Sequence, residues 1–145
     1  MNLKTVHAKD ILAKGNYTCV LYDGERLFVD TKRGVAPLLS FLESKESFAG
    51  FSAADKVVGA GAAYLYVLLG IRELYAEVIS ENAKKIILAH GISLFYGQSV
   101  PFIKNRAGNG TCPIELAVAE AKDAEDALGL IKAKLKQLNT TSEAK

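Results

Sequence analysis

An uncharged run of fifteen residues, Val57–Ile71 (VVGAGAAYLYVLLGI), closed by Lys56 and Arg72, constrains this chain more than any other stretch. As a helix it spans roughly 22 Å at about 1.5 Å per residue, short of the roughly 30 Å of a bilayer's hydrocarbon core. It therefore reads as a buried helix over residues 56–69, capped by Asp55. Its first half, Gly59-Ala60-Gly61-Ala62-Ala63, is almost bare of side chains. Glycine costs about 1 kcal/mol against alanine inside a helix, so two of them point to a close approach there, by packing before ligand binding.

Around this helix the local signals alternate. Val6–Lys14 reads as a short helix behind Thr5, stopped by Gly15. NYTCVLY and ERLFVD read as strands joined by Asp23-Gly24. RGVAPLLSFLES reads as a helix with Pro37 in its first turn, and KESFAGFSAA (residues 45–54) as a loop. ELYAEVIS (73–80) is a strand whose Ser80 caps the helix ENAKKIILAH, and ISLFY follows as a strand. CPIELAVAEA and AEDALGLIKAKLKQL close the chain as helices, the latter with Leu128, Ile131, Leu135 and Leu138 on one stripe. Antiparallel hairpin followed by parallel crossover units predicts an α/β domain of three layers, α/β/α, around a mixed sheet. One domain over residues 1–138 is expected, with 139–145 as a frayed tail.

The charge balance, 18 − 16 = +2 over 145 residues, demands neither nucleic acid nor an anionic membrane surface. Two cysteines, Cys19 and Cys112, show no secreted-protein spacing. MNLKTVHAKD lacks the apolar stretch of a signal peptide, so a reducing cytoplasm is expected. There is no Walker or dinucleotide-binding glycine pattern, and no cofactor is expected. Apolar residues are plentiful for one small domain. With Phe48, Phe51, Phe95 and Phe102 in or beside loops, they predict a contact surface and a homodimer.

The stretch Asn105–Glu115, NRAGNGTCPIE, is the least ordinary in the chain. Pro113 fits a first helical position, which makes Cys112 the N-cap. Glu115 then falls where a capping-box carboxyl reaches back. A helix start favours a thiolate at Cys112, and glycines 108 and 110 let backbone N–H groups face an anion. A plain capped turn accounts for the same residues. Cys19, inside a strand, reads as a buried and silent thiol.

The order of hairpin, apolar helix, strand, helix and strand from Cys19 through Tyr96 resembles the cytidine-deaminase-like fold. That resemblance would place Asp55 where the family's metal-binding histidine stands, and Val57 where its acid–base glutamate stands. Ser80–Lys84 carry no cysteine where the second ligand pair belongs, so zinc deamination is not expected and no metal site is assigned. LYDGERLFVDTKRGVAPLL, DKVVGAGAA, YAEVIS and NRAGNGTCPIE together, over residues 10–120, resemble the small family catalogued as domain of unknown function eighteen-ninety-three. Its members are expected to share the deaminase-like fold without the zinc ligands. They usually carry a lysine where this chain has Ala60.

Ligands in open α/β sheets lie beyond the carboxyl ends of the strands. That rule nominates Asp55, Lys56, Ser80, Asn105, Arg106, Cys112 and Glu115 as ligand-binding residues. Cys112, Asp55 and Glu77, the last a carboxyl in an apolar strand, are the candidates for chemistry. Three functions follow: a zinc-free domain binding a small anionic or nucleotide-like molecule; a metal-independent enzyme using Cys112 as nucleophile or Asp55 and Glu77 as acid and base; and a non-catalytic protein-interaction subunit.

Overall fold

The computed structural model describes residues 1–105 and 107–143, with side chains as far as Asn139. Helix α1, Leu3–Lys14, begins earlier than the sequence implies. Asn2 rather than Thr5 is its cap, accepting the Thr5 N–H, and the buried Thr5 hydroxyl bonds back to Asn2. The hairpin follows as β1, Cys19–Tyr22, and β2, Leu27–Asp30. Its turn is held by the Asp23 side chain, which accepts the N–H groups of Glu25 and Arg26, with Gly24 at φ 103°. Helix α2, Ala36–Glu43, takes Pro37 in its first turn as expected.

The next element overturns the expected cap. Residues Ser52–Val58 form strand β3, and the apolar helix, α3, spans only Ala60–Leu69. Asp55 thus lies inside a strand and caps nothing. The expected loop over 45–54 gives up its last three residues to this strand. Strand β4, Glu73–Ser80, and helix α4, Glu81–Ala89, follow the sequence signals closely, whereas strand β5, Ser93–Val100, runs four residues beyond the expected ISLFY. Helix α5 is a single short turn, Pro113–Ala117, where the sequence implied a longer helix. The last helix, α6, covers Ala124–Glu143 and so carries helix into the segment expected to be a tail; residues 144 and 145 lie outside the described residues.

The strands form one mixed sheet in the order β2-β1-β3-β4-β5. β1 is antiparallel to both β2 and β3, while β3, β4 and β5 are parallel. Because alternate side chains of a strand face opposite sides, β1 and β3 divide between two cores. Val20 and Ala54 pack with Ala8 and Leu12 of α1. Cys19, Leu21 and Ala53 join the larger core with α2, α3, α4 and α6. That is the expected α/β architecture with helices on both faces. Phe48 and Phe51, expected near a contact surface, are buried here, their rings 5.2 Å apart edge to face. Phe95 and Phe102 are exposed. No helix among the described residues is long and apolar enough to cross a membrane.

Candidate functional site

The β3–α3 junction carries the most unusual chemistry. In β3 the register passes from Asp55↔Ala76 to Val57↔Val78 without a Lys56–Glu77 pair. The next strand pair skips Glu77–Gly97 at the same level. A side chain on Gly97 would come within 3.0 Å of the Glu77 carbonyl oxygen, so glycine allows the strands to close up here. The Asp55 carboxyl turns back on its own strand, its Oδ1 accepting the Val57 N–H at 3.1 Å.

Asp55 is buried, and cross-strand from it in β1 stands Cys19. From α3, the Tyr66 hydroxyl donates to Asp55 Oδ2 at 2.6 Å and lies 3.3 Å from Cys19 Sγ. Across the thiol–phenol contact either group can donate. Burial pushes the Asp55 carboxyl up to about 7, against the lowering pull of the Tyr66 hydroxyl, with a further upward push from Glu77. Burial likewise pushes up Cys19 and Tyr66, each reinforced by the nearby Asp55. Tyr66 was missed by sequence reasoning. Its only signal was a hydroxyl, shared with Tyr64, in an otherwise apolar helix.

Glu115 also departs from its expected role. It does not reach back to Cys112. Its Oε1 accepts the Ala60 N–H at 3.0 Å and its Oε2 the Ile103 N–H at 3.3 Å. Gly59 is the N-cap of α3 and offers no side chain, so a carboxyl 55 residues away caps that helix instead. The bare start of α3 makes this fit possible. A Cβ on Gly59 would sit 3.0 Å from Glu115 Oε1, and one on Gly61 would lie 2.5 Å from Ile114 Cγ2. Packing of α5 explains the glycines.

The remaining candidates separate. Ser80 is fully buried and caps α4, its hydroxyl accepting the Ala83 N–H at 3.2 Å, as the sequence implied. Lys56 and Glu77 are half-buried on neighbouring strands. Asn105 closes a hairpin. Its N–H donates to the Gly110 carbonyl at 2.8 Å, its side chain exchanges hydrogen bonds with Asn109, and Lys104 bridges Thr111. Gly108, at φ 75°, supplies the turn. Arg106 lies outside the described residues. Cys112 is the N-cap of α5 and half-buried, but its side chain makes no capping hydrogen bond. Asp55 therefore groups with Tyr66 and Cys19, and Glu115 with the Asn105 hairpin. No hydrogen bond among the described residues joins them. Among those residues, no three His, Cys, Asp or Glu side chains cluster as a metal site would require.

Comparison with known proteins places this geometry. The model of the family described as "Domain of unknown function (DUF1893)" matches residues 7–135. The crystal structure of a DUF1893 family protein (TM1506) from Thermotoga maritima is similar, with a TM-score of 0.82 at 26% identity over 94% of this chain and 92% of that one. The apo dCMP deaminase of the cyanophage S-TIM5 gives a TM-score of 0.43 at 10% identity, over 67% of this chain and 94% of that one, and nothing chemical follows from it. Comparison with curated proteins gives no match.

Proposed function

The chain belongs to the DUF1893 family, and we propose that it serves there as a non-catalytic interaction domain whose contact surface is the β5 edge, meeting a second copy as a homodimer. The observation that carries this is the edge strand itself. Ser93–Val100 contains no charged residue and no proline, and it leaves Phe95 and Tyr96 exposed. Edge strands that stay single are commonly guarded by charges, proline or bulges, and exposed apolar surface marks contact sites. Catalysis finds less support. The Cys112 side chain makes no capping hydrogen bond, and the Asp55 carboxyl is enclosed against Tyr66. Light scattering at micromolar concentration tests the reading. A dimer is expected, and Phe95→Lys is expected to give a folded monomer, with a melting temperature that no longer rises with protein concentration. A wild-type protein that stays monomeric up to millimolar concentration overturns it.

A second reading, a small anionic or nucleotide-like ligand at the start of α3, rests on one observation: that helix start already accepts a carboxyl, from Glu115. An anion would have to displace it. Inorganic phosphate or a nucleoside monophosphate should then raise the melting temperature of Glu115→Ala more than that of the wild type. Equal or absent shifts remove this reading.

A further inference from the structure

We infer that Cys19, Tyr66 and Asp55 form a proton-sensitive latch tying β1, β3 and α3 together, closed while Asp55 is protonated and loosened when it ionises. The three side chains come from three elements and are all buried, at 1%, 0% and 7% exposure. They form one hydrogen-bonded chain of thiol, phenol and carboxyl, with distances of 3.3 and 2.6 Å; while Asp55 is protonated its O–H can be given to the phenol oxygen and the phenol O–H to the thiol. The groups facing the carboxyl are a phenol from α3, a thiol from β1 and the backbone N–H groups of Val57 and Lys56 in β3 itself. None of these donors is a cation. The charged groups felt from neighbouring strands are acids: Glu77 of β4 acts on Asp55, and Asp30 of β2 acts on Cys19. Lys56 is the adjacent cation along β3, and the salt bridges among the described residues do not include it.

A carboxylate enclosed by neutral donors and further acids is disfavoured relative to water. Burial accordingly lifts Asp55 from 3.8 to about 7. The closed state therefore holds a proton that the opened state releases. Its stabilisation is complete below about 4, falls as the pH rises toward 7, and is gone above that. If Asp55 reaches water when the latch opens, the opening equilibrium rises roughly a hundredfold between pH 5 and 8. The same movement bears on the helix start, because the carboxyl holds the Val57 N–H three residues before Ala60, where Glu115 is seated. This inference is independent of the β5 edge and stands or falls without it.

Cys19 is the reporter. Its labelling rate by a thiol reagent, located by peptide mapping, is divided at each pH by the rate for an unfolded peptide carrying the same cysteine. That ratio should climb roughly a hundredfold from pH 5 to pH 8 in the wild type and by less than about threefold in Asp55→Asn. A wild-type ratio that stays within threefold, or an Asp55→Asn protein that climbs with the wild type, overturns the latch. Should Asp55→Asn not fold, the carboxyl ¹³C shift of Asp55 in the wild type decides: a midpoint within a unit of 7 supports the latch, and one near 4 overturns it. Tyr66→Phe removes a donor that favours the carboxylate, so it should move that midpoint upward; an unchanged or lowered midpoint rejects the phenol's part.

Discussion

The starts of α3 and α4 follow parallel strands in the same sheet, yet they are finished in opposite ways. α4 carries its own cap. Ser80 accepts the Ala83 N–H, and Glu81 places a carboxyl in the first turn. α3 carries none. Gly59 leaves the first N–H groups bare, and Glu115 arrives from α5 to accept one of them. The α4 start is a property of a few consecutive residues. The α3 start exists only when α5 is docked, so the small residues at 59–63 serve the docking of a distant segment. A helix start that borrows its cap couples two parts of the chain, whereas a self-capped one does not.

Removal of the borrowed carboxyl is the strongest test of that contrast. Glu115→Ala strips partners from the Ala60 and Ile103 N–H groups together. At about 1–3 kcal/mol for the buried Ala60 N–H and about 1 kcal/mol for the half-buried Ile103 N–H, urea denaturation should show a loss of about 2–4 kcal/mol. A loss below 1 kcal/mol would mean that water satisfies the α3 start and that the coupling is slight. Gly61→Val is next. Its bulk would collide with Ile114, and overpacking of this kind costs about 1–3 kcal/mol; an unchanged midpoint would show that α5 yields freely. Ser80→Ala should cost about 1 kcal/mol and leave the Glu115 seat untouched. In a double-mutant cycle its effect should add to that of Glu115→Ala within about 0.5 kcal/mol, and strong coupling would erase the distinction between the two starts. The smallest effect is the most specific. Gly59→Ser should destabilise the wild type, where its Cβ crowds Glu115. In the Glu115→Ala background it should regain a few tenths of a kcal/mol by capping α3 locally. The same sign in both backgrounds would show that Glu115 does not occupy the cap position in solution.

A second contrast explains what was legible in the chain. The stretch ELYAEVIS-ENAKKIILAH announces β4 and α4 at their observed bounds, because strand propensity, cap and helical periodicity sit side by side in it. SAADKVV announces nothing of the kind. Alanine, aspartate and lysine are poor strand formers, and an aspartate ahead of an apolar run has the form of a helix cap. Its first four residues are nevertheless buried, in a strand between β1 and β4. Pairing on both sides supplies hydrogen bonds that no local preference encodes, and small side chains suit a strand covered on both faces.

Sequence alone determined the α/β class, the hairpin, the β4–α4 unit, the buried character of Cys19 and α3, and the family. Each of these follows from residue types within one element or from a pattern of motifs along the chain. The tertiary structure decided which partners the polar side chains took. It placed Asp55 against Tyr66 and Cys19 instead of at a helix cap, and Glu115 at the start of α3 instead of beside Cys112. It also closed the Asn105 hairpin upon itself. A buried hydrogen-bonding group must find a partner, but its type and spacing do not say which one. The choice falls to whichever donor the packed chain brings within about 3 Å, and that is fixed only when elements far apart in sequence have come together.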